Sequence, residues 1–173
     1  MKAPKGSDTR PTSDRVKEAV FAILTPCVVG CSVLDLYAGS GALGIEALSR
    51  GADTALFVDR SLSAVRAIEE NLSVTGFASS ARVMRAEVCR ALSRLGRAGE
   101  AFGIVFADPP YGCTSLQGLL QSLVQTATVA PEGLIVLESS VKDSMGESVE
   151  GLSLIQSRSY GDTSVCFYRR HLS

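Results

Sequence analysis

Tryptophan is absent from the chain, and its one histidine, His171, stands almost at the C-terminal end. A single terminal imidazole excludes a histidine-based catalytic triad and a histidine-rich metal site, so most hydrolase and zinc chemistries drop out. Cysteine is scarce and odd in number: Cys27, Cys31, Cys89, Cys113 and Cys166 are scattered, which excludes a disulfide framework and shows no zinc-ligand spacing. These thiols read as small buried apolar residues, and no metal is expected. Long apolar runs are missing too. The longest, near Leu134 to Leu137, is far too short for a membrane span, and Met1 to Gly6 lacks the apolar core of a signal peptide. A soluble, cytoplasmic protein without a membrane partner is therefore expected. Charge of one sign is also lacking, since the formal net charge is −1, which by itself does not advertise a nucleic-acid binder. Its distribution is uneven, however. Residues 1 to 17 hold Lys2, Lys5, Arg10, Arg15 and Lys17 against Asp8 and Asp14, and Arg169 and Arg170 lie near the other end. Such ends are usually solvated; they grip RNA only if folding brings them beside Tyr111.

What is present is an apolar content of 46% spread evenly over 173 residues, enough for one domain with a substantial core. The most informative stretch is Phe102 to Tyr111, in which an apolar strand-like run, Ile104 to Ala107, delivers Asp108-Pro109-Pro110-Tyr111 to its end. Two prolines offer no N–H and cannot continue a central strand, so the backbone leaves the sheet at Asp108, stiff and extended. The Asp108 side chain and the carbonyls of Asp108 and Pro109 then face outward as acceptors. Such acceptors suit a planar ring with an exocyclic amine, whose face Tyr111 would stack upon. An amine conjugated to a ring is a poor nucleophile. Acceptors that hold both its hydrogens out of plane localise the lone pair, and a sulfonium leaving group needs no strong base. The plain alternative is a corner between strand and loop, which an Asp-Pro or Pro-Pro pair alone would suggest.

Asp108-Pro109-Pro110-Tyr111 resembles the [Asn/Asp/Ser]-Pro-Pro-[Tyr/Phe] motif of S-adenosylmethionine-dependent methyltransferases acting on exocyclic or amide nitrogens. The likeness extends through Arg10-Pro11-Thr12 with Asp14-Arg15-Val16, Asp35 to Gly44, and Tyr160-Gly161 with Thr163. Over nearly the whole chain, in order, the sequence is similar to the ribosomal RNA small subunit methyltransferase D family. That resemblance implies transfer of a methyl group from S-adenosylmethionine to the exocyclic N2 of a guanine in 16S rRNA, on naked rRNA or on an assembling small ribosomal subunit. It also implies catalytic roles for Asp108, Pro109, Pro110 and Tyr111, and substrate contacts from Arg10, Thr12, Arg15, Tyr111 and Tyr160. The basic strand-like segment that family members usually carry ahead of this arm has no counterpart here. The four-residue motif alone leaves DNA adenine-N6 and protein glutamine methylation open, and a methyltransferase-shaped binding subunit without turnover stands as the alternative outside enzymes.

Val33 to Tyr37 reads as the first strand, followed by Ala38-Gly39-Ser40-Gly41-Ala42-Leu43-Gly44 and an amphipathic helix to Arg50, closed by Gly51. Glycines there let backbone approach a ligand, and the helix N-terminus offers N–H donors. Gly39-x-Gly41-x-x-Gly44 also satisfies the dinucleotide pattern, which alone is weak. Asp35, a carboxylate inside the strand, favours the methyl donor, either fixing the glycine loop or accepting from the donor's ammonium. Tyr37, Gly39, Ser40 and Gly41 form the donor-binding turn. A second strand, Ala55 to Val58, ends in Asp59, placed with Arg60 to meet ribose hydroxyls, a device NAD would share. Ser61 caps the next helix and Gly76 stops it, with Asn71 structural. Arg82 to Arg85 is a short third strand. Glu87 after it either reaches the adenine amine or caps a helix running to Leu95.

Around these segments, residues 1 to 11 read as an extended arm, and a helix from Thr12 or Ser13 ends at Pro26. Leu116 to Val124 has helical spacing, Leu134 to Glu138 is a buried strand, and residues 139 to 151 are patternless. Glu138 either positions substrate or is solvated. Strands of about 152 to 159 and 163 to 169 flank a turn at Gly161-Asp162, where Tyr160 and Arg158 touch RNA or Tyr160 merely packs the hairpin. The reading is a single α/β domain over residues 1 to 173: a Rossmann-like class I methyltransferase with a mostly parallel seven-stranded sheet, helices on both faces and a C-terminal antiparallel hairpin. Asp35, Asp59 and Asp108 then fall in turn at carboxyl ends of strands and line one cleft.

Overall fold

The computed structural model describes residues 11–110, 115–142 and 148–171. In chain order the elements are α1 (Pro11–Leu24), β1 (Ser32–Leu36), α2 (Ala42–Ser49), β2 (Thr54–Asp59), α3 (Leu62–Thr75), a 3-10 turn (Ala78–Ser80), β3 (Ala81–Arg85), α4 (Val88–Arg97), β4 (Phe102–Ala107), α5 (Leu116–Gln125), β5 (Val129–Ser140), β6 (Ser148–Val149), β7 (Leu152–Tyr160) and β8 (Thr163–Arg170). The expected extended arm, apart from Pro11, lies outside the described residues, and Pro11 already opens α1, where a missing N–H costs nothing.

The central strands are apolar on both faces because helices cover both. Alternate residues divide between two cores. Leu34, Leu36, Leu56, Val58, Val105, Ile135 and Leu137 pack with Val88, Leu92 and Leu95 of α4 and Leu119, Leu120 and Leu123 of α5. Val33, Phe57, Ile104, Phe106 and Val136 pack with Phe21 and Leu24 of α1, Ile45 and Leu48 of α2, and Ile68 and Leu72 of α3. Strand order is β3-β2-β1-β4-β5-β8-β7-β6. Pairs from β3 to β5 are parallel, and β8 lies antiparallel between β5 and β7. The chain winds outward from β1 through β2 to β3, then returns to the other side of β1 for β4. Helical connections on either side of that reversal diverge, leaving a crevice beyond the carboxyl ends of β1 and β4.

Two details differ from the sequence expectation. The sheet has eight strands, because Ser148 and Val149 in the patternless stretch pair with Ser153 and Leu152. The strand expected from Leu134 begins at Val129, which pairs with Phe102 before the register shifts. Pro131-Glu132-Gly133, ahead of the expected start of that strand, is an irregularity within β5, with Glu132 at φ 60° and no room for a Cβ on Gly133, 2.8 Å from the Ala130 carbonyl.

Candidate active site

The first half of the site is built where β1 runs out. Tyr37 takes φ 56°, a left-handed conformation that costs a non-glycine residue, and so turns the chain sharply out of the sheet. Gly39 and Gly41 follow at φ 57° and 78°, where glycine is the residue without a steric penalty. Three side chains hold this turn from outside. Asp59 at the tip of β2 accepts from Gly39 N–H at 3.0 Å, and its other oxygen accepts from Ser61 N–H at 2.8 Å. Asn71 of α3, buried, donates Nδ2–H to the Ser40 carbonyl at 3.0 Å. Asp35 accepts from Gly44 N–H at 2.9 Å, anchoring the first turn of α2. Gly44 is required there, since a Cβ would lie 2.3 Å from the Phe57 ring.

Asp35 is only 3% exposed, and burial pushes its carboxyl up to about 8. The Gly44 hydrogen bond opposes that rise, while the charges of Asp108 and Asp59 add to it. Of the three carboxylates expected to line one cleft, Asp59 and Asp108 do, whereas Asp35 lies buried behind the turn, held by Gly44.

The second half comes from β4. Ile104, Val105, Phe106 and Ala107 are buried, and the chain emerges at Asp108, with Pro109 buried and Pro110 exposed. Asp108 is exposed as a residue, yet its carboxyl is sheltered enough that burial pushes it up to about 6. A cleft of about 360 Å³ joins the halves: Tyr37, Asp59, Arg60, Ala86, Glu87 and Val88 form one side, and Asp108, Pro109 and Pro110 the other. The carboxylate-diproline corner and the turn after β1 thus open onto the same side of the molecule.

Sequence expectations fare unevenly here. Glu87 occupies the N-cap position of α4 but makes no side-chain cap bond; its carboxylate lies 3.6 Å from Arg60 on the cleft rim. Ser61 holds the cap position of α3 without capping it, because its hydroxyl pairs with that of Ser63. Arg15 is exposed on α1, and Thr12 lies in that helix's first turn. Tyr160 packs against the α1–α3 core and is not among the cleft residues. Arg10 and Tyr111 lie outside the described residues.

Glu138 was only weakly signalled. It closes the apolar run of β5, two residues before that strand ends at Ser140, as Asp108 follows the apolar run of β4, and the legible clue is the same pattern, an apolar run closed by a carboxylate. Burial pushes it up to about 7, with Asp108 contributing.

A second hollow, of about 430 Å³, lies at the opposite ends of the strands beside Cys27, Cys31, Gly103 and Arg169. Burial raises both thiols, which makes them poor nucleophiles. Among the described residues no His, Cys, Asp and Glu side chains group to hold a metal, and no helix is long and apolar enough to cross a membrane.

Comparison with known proteins agrees with this architecture. The family model described as "Conserved hypothetical protein 95" matches residues 1–169. YlbH of Bacillus subtilis, provisionally named an rRNA methyltransferase, is 38% identical over 170 residues, covering 98% of this chain and 92% of its own length. Ribosomal RNA small subunit methyltransferase D of Escherichia coli is 35% identical over 170 residues, covering 98% and 84%. The solved structure of yhhF from Escherichia coli, provisionally called a methyltransferase, superposes with a TM-score of 0.88 at 31% identity, covering 100% of this chain and 92% of that one.

Proposed function

The chain belongs to the family described as conserved hypothetical protein 95, and on that premise we propose that it transfers a methyl group from S-adenosylmethionine to the exocyclic N2 of a guanine in 16S rRNA. The observation that carries this reading is the single cleft shared by Asp108-Pro109-Pro110 and Tyr37 at the start of the glycine turn, with Asp59 and Glu87 on its wall. Relatives named rRNA methyltransferases along almost the whole chain support the RNA substrate.

The residues present fit a nucleoside-bearing methyl donor. At Gly39 the space a side chain would take holds no contact closer than 3.9 Å, and the residue is only half-buried, which leaves room for a ligand against the turn. Asp59 uses one acceptor position on each oxygen for the loop and keeps others for ribose hydroxyls. Glu87 and Arg60 border the adenine end, and Asp35 with the turn Tyr37, Gly39, Ser40 and Gly41 the amino-acid end. When bound, S-adenosylmethionine supplies an electrophilic methyl on a sulfonium.

The work left to the chain is positioning. The Asp108 carboxylate and the carbonyls of Asp108 and Pro109 accept the two amine hydrogens and fix the lone pair's direction. With Asp108 near 6, the acceptor form prevails at neutral pH. Tyr111 stacks on the base, and Pro109-Pro110 keeps the corner stiff. A paired guanine hides its amine in the duplex, so the base enters flipped out or from a single strand. The family resemblance assigns RNA contacts to Arg10, Thr12, Arg15 and Tyr160. Arg90, Arg94 and Arg97 of α4, exposed at helical spacing and without hydrogen-bond or ion-pair partners among the described residues, add cationic surface suited to phosphates.

The test is transfer of tritiated methyl from S-adenosylmethionine onto small-subunit particles, free rRNA, DNA and a glutamine-containing peptide in parallel. Label confined to the rRNA arms and recovered as N2-methylguanine is expected. Label in DNA or peptide, or none with donor bound, overturns the reading.

A further inference from the structure

Glu138 has no place in the donor site, yet it is set beside the acceptor corner. Parallel pairing puts Ala107 opposite Leu137, so Glu138 stands level with Asp108 on the adjacent strand. Alternation places it on the sheet face of Val136, which packs with Val33 and Phe106 in the core under α1 and α2. Its antiparallel partner on β8 is apolar Val165. Beyond Val165 on β7 stands Arg158, whose guanidinium lies against the Gln156 side-chain amide, donating to its oxygen at 2.8 and 2.9 Å when that amide is turned over, and does not pair with Glu138. Glu138 is thus a partly buried carboxylate with no hydrogen bond or ion pair among the described residues, and its nearest charged influence is another carboxylate. Leaving such a group unpaired is costly, so an occupant of the mouth that supplies an N–H beside the amine is strongly favoured.

Resting on the guanine reading above, we propose that Glu138 is the specificity-determining acceptor that takes the ring N1–H of guanine while Asp108 takes the neighbouring amine. The chemistry is selective. Guanine carries an N–H donor next to its exocyclic amine. Adenine beside its 6-amine, cytosine beside its 4-amine and a glutamine side chain beside its amide nitrogen all present an acceptor instead, which a carboxylate repels. One residue therefore separates guanine from every competing amine substrate of this motif.

The experiment uses the full chain and small-subunit rRNA, with the methylated base first mapped using wild-type protein. That base is then replaced by 2-aminopurine, which keeps the 2-amine but bears an acceptor at N1, by splinted ligation. Wild-type kcat/KM on 2-aminopurine is expected about 100-fold or more below that on guanine, the loss that goes with one hydrogen bond to a charged group. In Glu138→Gln, whose amide can donate to the 2-aminopurine N1, guanine activity falls at least about 30-fold and the two substrates come within about fivefold of each other. Affinity for S-adenosylmethionine by calorimetry stays within about twofold, which a general structural defect would not allow. Equal losses on both substrates, or wild-type protein that does not discriminate, overturn the assignment of Glu138 and leave the guanine reading intact. The wild-type ratio is read independently of how any variant folds. Mapping to a base other than guanine overturns both.

Discussion

Asp108 and Asp35 differ in what their raised proton affinities do. Asp108 is raised to about 6 and Glu138 to about 7, so both lose acceptor character when pH falls, far above the ordinary carboxylate range. Methyl transfer is expected to decline as pH drops from about 7 to about 6, and kcat/KM profiles of wild type and Glu138→Gln check this, the variant's decline moving toward 6. Asp108→Ala is expected to lower kcat at least about 100-fold with donor affinity nearly unchanged, measured by single-turnover kinetics and calorimetry. Asp35 acts on stability instead. Its folded-state value of about 8 lies above the ordinary 3.8, so the native state binds the extra proton. The associated stability is fully present below about pH 4 and is lost as pH rises through 8. Asp35→Asn keeps an acceptor for Gly44 N–H without a charge, so its melting temperature should change less between pH 5 and 8 than that of wild type. A flat wild-type profile would contradict this. Asp35 was legible because it interrupts an apolar strand, where a carboxylate has no packing reason to be, and Asp108 because it closes an apolar run just before two prolines. Glu138 also closes an apolar run, but a lone carboxylate there is usually solvated, and only its pairing register with β4 distinguishes it.

The strand–turn–helix unit from β1 to α2 is rigid by construction: Asp35, Asp59 and Asn71, from three elements, each hold one backbone group of it. Glycine at position 44 lets α2 rest on Phe57, whose ring is fully buried and cannot yield. Gly44→Ala is therefore expected to destabilise the fold by about 1–3 kcal/mol, the usual cost of forcing a methyl into a packed core. Donor affinity should fall with it, as the turn displaced carries Tyr37, which lines the cleft. Thermal unfolding with and without S-adenosylmethionine reads both, and a variant as stable as wild type would show that α2 can move. Element identity was readable along this unit because apolar runs, glycine turns and amphipathic spacing agree there. It failed where a turn-like tripeptide lies inside a strand, as at Pro131 to Gly133, and where a two-residue strand is stabilised entirely by its partner, as at Ser148–Val149. Caps failed differently. Ser61 and Glu87 stand at N-cap positions, but a neighbouring hydroxyl or guanidinium takes their side chains, a competition that spacing along the chain does not reveal.

For the molecule as a whole, a net charge of −1 conceals a division between the two faces of the sheet. On one face α4 carries Arg90, Arg94 and Arg97 and α5 carries no charge at all; on the other α2 and α3 carry Glu46, Glu69 and Glu70 against Arg66. Which helix covers which face depends on where the winding reverses, and that is a property of topology, so overall charge understated the case for a polyanionic substrate. The α4 arginines begin beside the cleft, since Val88 at the start of that helix is one of its lining residues. An RNA whose target base enters the cleft can then lay its flanking phosphates along α4, each cation releasing bound counterions. Replacing all three arginines by glutamine is expected to weaken rRNA binding at low salt and to reduce the slope of log K against log salt by up to about 2, at about 0.7 for each single-stranded phosphate contact. Donor affinity should not change, because none of the three lines the cleft. If instead the slope were unchanged while Arg15→Gln lowered it, the RNA would approach across α1, on the sheet face where Glu138 lies, and α4 would be a solvated surface.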